Sequence, residues 1–134
     1  MREMTTTFKA ALQEGLQKMQ LSLSEEALSN METYAAQLQE SNQVMNLTAI
    51  TEPQEIARLH FLDSIAVGGV IPLCGKTLID IGTGAGFPGL PLKLTIPSLT
   101  VTLLDSQQKR IHFLEKVVDC LCLSGVELKH GRAE

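Results

Sequence analysis

No stretch of this chain approaches the roughly 20 apolar residues that a membrane-spanning helix requires. Its first residues also lack the basic-then-apolar order of a secretory signal. Cysteine is scarce, with 3 residues at positions 74, 120 and 122, too few and too oddly spaced for a disulfide framework. No CxxC occurs, and His60, His112 and His130 form no HxxxH pair, so no structural metal site is expected. An excess of basic charge is missing as well. Against 11 basic residues stand 15 acidic ones, a formal net charge of -4, whereas a nucleic-acid binder usually carries a strong positive balance. No segment repeats, and none is low in complexity. These absences point to a soluble protein of the reducing cytoplasm, with no membrane contact, whose contact with any polyanion must come from a local patch.

What is present suffices for a core. Of the 134 residues, 44% are apolar and 19% charged, which suits one domain, or a small domain with part of another. The charge is unevenly spread: residues 1–75 hold 9 acidic and 4 basic groups, and residues 76–134 hold 6 and 7.

Residues 1–75 read as a helical region. Phe8, Leu12, Leu16 and Met19 recur at helical spacing, with Gly15 as a weak point. Ser22-Leu-Ser-Glu25 fits a capping box and Ser24 is an equally good N-cap. The helix that follows carries Leu28, Met31, Ala35 and Leu38 and is expected to fade near Ser41-Asn42. Thr51-Glu-Pro-Gln54 opens a third helix, with Ile56, Leu59, Leu62 and Ala66 inward, which Gly68-Gly69 and Pro72 should end.

From Lys76 the pattern changes. Thr77–Ile81, Val101–Asp105 and Val126–Lys129 read as strands, separated by helical segments near 86–95 and 107–123. The second of these carries Ile111, Leu114, Val118 and Leu121 inward. Strand, helix, strand, helix, strand predicts an α/β fold with a parallel sheet and crossover helices.

Between the first strand and its helix lies Asp80-Ile-Gly82-Thr-Gly84-Ala-Gly86-Phe-Pro-Gly89. Alternate glycines permit positive φ and close backbone approach at a helix N-terminus, at the carboxyl end of the sheet. Gly84-x-Gly86-x-x-Gly89 matches a dinucleotide fingerprint, but the register places Phe87 where that pattern wants a small residue. Asp80, just before the loop, would repel a pyrophosphate and suit a cationic ligand. S-adenosylmethionine, with a sulfonium and no phosphate, fits better, and Asp105 would accept hydrogen bonds from its ribose hydroxyls. A dinucleotide, or a tight turn with no ligand, remains the other reading.

Asn46-Leu-Thr-Ala-Ile50, His60-Phe-Leu-Asp-Ser64, Gly82-Thr-Gly-Ala-Gly-Phe-Pro-Gly89, Leu103-Leu-Asp-Ser106, Lys109-Arg110 and His130-Gly-Arg-Ala-Glu134 occur here in a specific order and spacing. From about residue 24 onward the chain resembles the bacterial 16S ribosomal RNA guanine-N7 methyltransferases, the glucose-inhibited division protein B family. The resemblance implies an N-terminal helical segment (1–75) followed by the first half of a Rossmann-like class I methyltransferase sheet (76–134), with three strands present. It implies a donor site of Gly82, Gly84, Gly86, Phe87 and Asp105, with Ala133 and Glu134 against the adenine. S-adenosyl-L-methionine would be the cofactor, and 16S ribosomal RNA or the small-subunit particle the partner. Guanine N7 already offers a lone pair, so no general base and no catalytic dyad is expected.

Bland readings stand beside the functional ones. His60, Asp63 and Ser64 either shape the pocket or tie the helical front to the sheet, and the tie is favoured. Lys109-Arg110 either touches RNA phosphate or is solvated surface. Cys120 and Cys122 read as core or boundary residues, and Phe87 as packing under the cofactor or as a closure of the loop. With the acceptor-base half of the family's sheet lying beyond these residues, the chain is expected to keep much of its donor pocket yet be catalytically weak or inactive. The first strand is then an open edge, which suggests a cofactor-binding or dimerising fragment as the alternative function. A nicotinamide half-domain is the less favoured one.

Overall fold

The computed structural model describes residues 2–133, with side chains from residue 6 onward. Helix α1 (Arg2–Lys18) buries Phe8, Leu12 and Leu16 on one stripe. Gly15 is no weak point there, because a Cβ at that position would run into the Leu62 side chain. Helix α2 (Glu25–Met45) is capped by Ser24, whose Oγ accepts the Ala27 N–H at 3.1 Å; the Ser22 box is not the one used. The helix continues past Ser41-Asn42, where the sequence suggested fading. Both side chains are buried, and Asn42 Oδ1 accepts the Thr48 N–H at 2.7 Å. Asn46, at φ 51°, closes the helix in the left-handed conformation that asparagine tolerates.

The third helix differs most from its expected form. It starts at α3 (Pro53–Glu55) with Glu52 as N-cap and no side-chain cap bond, so Thr51 does not cap it. It passes through a π-helical turn (Ile56–Leu62) and continues as α4 (Asp63–Val70). A π turn bonds i to i+5 and rotates everything after it. The inward set is therefore Ile56, Ala57, Phe61, Leu62 and Ile65, while Leu59 is 50% exposed and Ala66 lies outside. Gly68-Gly69 lie within the helix, which ends just before Pro72, where the pre-proline residue is driven to extended backbone.

Strands β1 (Thr77–Ile81), β2 (Thr100–Asp105) and β3 (Val126–His130) form one parallel sheet in the order β1-β2-β3. Thr77 pairs with Thr100 and Val101 with Val126. The crossovers are α5 (Gly89–Thr95), which begins three residues after the expected start, and α6 (Gln108–Cys120). Both pack on the sheet face that carries Leu78, Asp80, Val101, Leu103 and Asp105, and α2 packs on both helices in turn. Buried side chains from α1 to α6 form one continuous cluster that bridges the helical region and the sheet. Cys120 and Cys122 are exposed at and just past the end of α6, contrary to their reading as core or boundary residues, because the inward stripe there runs through Val117, Val118 and Leu121.

The opposite sheet face is bare among the described residues. Ile79 and Ile81 are 61% and 63% exposed, beside the partly exposed Leu104, and β1 pairs on one side only. A parallel sheet is ordinarily covered on both faces. No helix among the described residues is long and apolar enough to cross a membrane.

Candidate functional site

The carboxyl ends of the three strands meet at the glycine loop. Gly82 and Thr83 donate their N–H groups to the Leu104 carbonyl at 2.8 and 3.0 Å, which turns the chain sharply off β1 and across the end of β2. Gly86 and Phe87 then donate to the Thr83 carbonyl at 3.0 and 3.2 Å. The loop needs positive φ at Gly82 (71°), Gly84 (61°) and Gly86 (106°), where any other residue pays about 1–2 kcal/mol.

Those three glycines nevertheless face different surroundings. A Cβ on Gly82 or Gly84 would meet nothing within 4 Å, so both present bare backbone to open space. A Cβ on Gly86 would strike the Tyr34 hydroxyl, Leu114 and Leu90, so that glycine is required by packing. On the open side lies a cleft of about 330 Å³ lined by Ile81, Gly82, Leu104, Asp105, Ser106, Gly131, Arg132 and Ala133. It thus contains Gly82, Asp105 and Ala133 of the expected donor site. Gly84 borders the cleft through its bond to Asp105, Gly86 and Phe87 lie on the core side, and Glu134 falls outside the described residues.

Two carboxylates brace this loop from within. Asp80 turns inward instead of facing a ligand: Oδ2 accepts the Thr83 hydroxyl at 2.7 Å and the Gly89 N–H at 2.9 Å. Burial pushes its carboxyl above the usual carboxylate range and the Asp105 charge adds to that, while the two hydrogen bonds oppose it. Asp105 is 2% exposed. Its Oδ2 accepts the Gly84 N–H at 2.8 Å and its Oδ1 the Gln107 N–H at 2.9 Å. Arg110 Nη1 approaches the same Oδ2 at 3.4 Å, so of the Lys109-Arg110 pair the second belongs to the site and Lys109 is exposed. A carboxylate has about four acceptor positions. Asp105 therefore retains capacity for a ribose hydroxyl, but its first duty is to hold Gly84.

Behind the loop the chain gathers all of its 4 phenylalanines and its 1 tyrosine. The Phe87 ring lies between Tyr34, at 5.2 Å and 9°, and His60, at 4.3 Å and 7°. Both of its faces are thus taken by protein. Phe61 meets Phe87 edge-on at 5.2 Å, and also contacts Tyr34 and Phe8. The Tyr34 hydroxyl donates to the Ala85 carbonyl at 2.5 Å, and burial drives its pKa well above the ordinary phenol value. His60 Nε2 pairs with Thr48 Oγ1 at 2.9 Å, and burial lowers the pKa of the ring despite the opposing charge of Asp63. His60 is thus a tie between the helical front and the loop. Tyr34 was not singled out in the sequence, although it stands three residues after Met31 and four before Leu38, on the same stripe.

Comparison with known proteins gives the family. Residues 27–134 match the family described as rRNA small subunit methyltransferase G. The ribosomal RNA small subunit methyltransferase G of Lachnoclostridium phytofermentans is 47% identical over 122 residues, covering 90% of this chain and 50% of that protein. The same protein of Thermoanaerobacter sp. is 53% identical over 109 residues, covering 80% and 45%, and that of Acetivibrio thermocellus 42% over 134 residues, covering 100% and 55%. The chain spans about half the length of the curated relatives it matches. A solved structure of coclaurine N-methyltransferase bound to N-methylheliamine and SAH overlays with a TM-score of 0.49 at 17% identity, covering 95% of this chain and 45% of that one. With its glycine loop, Asp105 brace and strand order all within the matched residues, this chain belongs to the rRNA small subunit methyltransferase G family.

Proposed function

We propose that these residues form the donor-binding half of an S-adenosylmethionine-dependent methyltransferase that acts on N7 of a guanine in 16S ribosomal RNA. The observation that carries the reading is the pair Gly82 and Gly84, held at positive φ with open space where side chains would stand, at the mouth of a cleft that also contains Asp105 and Ala133. Such a cradle admits a ligand against bare backbone, and the cleft volume lies at the lower end of the range for small-molecule sites. Gly82 would support the amino-acid portion, Asp105 would accept from the ribose, and Ala133 would lie at the adenine end. Gly86 and Phe87 would contribute through the shape they give the loop, and Glu134 by family likeness alone.

When bound, the cofactor supplies an electrophilic methyl group on a sulfonium. The chain's own residues then have to orient the donor and exclude water, since N7 needs no proton removed before it attacks. Fixed backbone dipoles at the strand ends would orient it without reorganising. The RNA partner and the acceptor-base pocket belong to the same proposal.

Calorimetric titration with S-adenosylmethionine, with NAD as control, tests the reading. Binding of the first alone is expected; binding of NAD alone, or of neither by a folded chain, overturns it. The one-sided pairing of β1, with Ile79 and Ile81 bare beside it, favours a second reading in which two copies pair through their β1 edges. Sedimentation showing only monomers at high concentration would dismiss that reading.

A further inference from the structure

The glycine loop is held from two directions. Asp80 and Asp105 brace it from the strands, as described above. The second hold comes from the helical front, from Tyr34, 51 positions before its partner Ala85, and from His60, and nothing in strand or loop pattern requires it. Ala85 is buried, and its carbonyl accepts the Tyr34 hydroxyl, so the peptide between Ala85 and Gly86 cannot rotate without stranding that bond. Two residues on, Phe87 is fixed in both tilt and height by parallel rings on its two faces, Tyr34 and His60, with Phe61 closing one edge. His60 is itself pinned. Its Nε2 pairs with Thr48 Oγ1, which accepts the Ile50 N–H at 3.1 Å, and Thr48 N–H binds Asn42 Oδ1. The turn after α2 therefore fixes a ring in the π-helical turn, and that ring fixes the loop. The π turn itself supports the arrangement, since it leaves Phe61 inward next to His60.

From this geometry we infer that Tyr34 and His60 are positioning residues of the donor site: by binding the Ala85 carbonyl and clasping Phe87, they set the backbone of Gly84–Gly86, and donor affinity depends on the helical front. The inference rests on the reading that Gly82 and Gly84 face the donor. A positioning role differs from a purely structural one in where its loss is felt. Removing the Tyr34 hydroxyl leaves every ring contact in place and frees one peptide of the loop. The damage should concentrate at the glycines and spare the sheet.

The test uses the whole 134-residue chain. Tyr34→Phe is compared with wild type and with Lys93→Met, a change at the far end of α5 that lowers stability without touching the loop. Amide exchange is read by NMR, and affinity by titration with S-adenosylhomocysteine. In Tyr34→Phe, exchange at Gly84, Gly86 and Phe87 should quicken about tenfold relative to Leu103 and Leu128 in the sheet, and affinity should fall by about tenfold. Lys93→Met should lower the melting temperature and change neither ratio. His60→Ala should reproduce the Tyr34→Phe effect, and His60→Phe, which restores a ring on Phe87, should recover most of it. Loop exchange that stays at its wild-type ratio in Tyr34→Phe overturns the inference whether or not ligand binds. Failure of the wild-type chain to bind overturns the donor-site reading, and the exchange data then decide separately whether the helical front sets the loop. Exchange that quickens while affinity holds refutes the dependence of binding on this clasp.

Discussion

Replacing Gly86 by alanine should cost far more stability than replacing Gly82, although both stand at positive φ in one loop. At Gly82 the penalty is conformational alone, about 1–2 kcal/mol for an L-residue in that region, because a new methyl would meet nothing within 4 Å. At Gly86 the same strain applies, and the methyl must also displace the Tyr34 hydroxyl and press on Leu114 and Leu90. Overpacking of that kind costs about 1–3 kcal/mol. A strained or lost bond to the Ala85 carbonyl adds about 1 kcal/mol or more. The two substitutions should therefore differ by about 2–4 kcal/mol. For a domain of this size each kcal/mol moves the melting temperature by about 3–5 °C. Gly86→Ala should melt about 10 °C or more below wild type, and Gly82→Ala about 5 °C below. Circular dichroism melts at neutral pH read this directly. Titration should show the opposite ranking per degree lost, with Gly82→Ala losing donor affinity out of proportion to its stability. Equal melting temperatures for the two variants would refute the division of the loop into a core-facing and a cleft-facing side.

Asp80→Asn keeps a carbonyl oxygen for the Thr83 hydroxyl and the Gly89 N–H while removing a buried charge. Because burial raises the Asp80 pKa above its unfolded value, its contribution to stability is fully present below the unfolded value and lost as pH rises through the folded one. The variant should thus match or exceed wild-type stability at pH 7 and show less decline across the mildly acidic range; urea unfolding at stepped pH checks this, and a large loss at pH 7 would contradict it. Lys93, 8% exposed, donates Nζ to the Pro97 and Leu99 carbonyls at 2.7 and 2.6 Å, closing the turn between α5 and β2. Lys93→Met should leave those carbonyls short of a donor and cost about 1–3 kcal/mol, visible as a lower melting temperature; an unchanged one would show that water replaces the amine.

The strands were legible because β1 and β2 are short runs of β-branched and aliphatic residues and β3 alternates apolar with polar between two glycines, and β1 falls where the pattern put it. Helix α1 was legible for the same kind of reason, one stripe at a constant period. The third helix was not, since a template of fixed period cannot anticipate a turn that bonds one residue further on, and Leu59 and Ala66 were misplaced with it. Tyr34 escaped because its partner, the Ala85 carbonyl, lies 51 positions away, beyond the reach of a local pattern. Asp105 was singled out by its place at a strand end, where the pattern suggested a ligand and the nearest donors in the structure belong to Gly84 and Gln107. Spacing locates glycines; only their neighbours in three dimensions tell which side of the loop each one serves.

The convergence of rings behind the loop has a spectroscopic consequence. The chain contains 0 tryptophan and 1 tyrosine, so emission excited above the phenylalanine band comes from Tyr34. That phenol is bound to a loop carbonyl and stacked on Phe87, and its quantum yield changes when such a bond opens to water. Excitation near the phenol band therefore watches the junction of the glycine loop with the helical core, with no label and no engineered residue. Any ligand, partner or denaturant that moves the loop against Tyr34 reports itself in that one phenol.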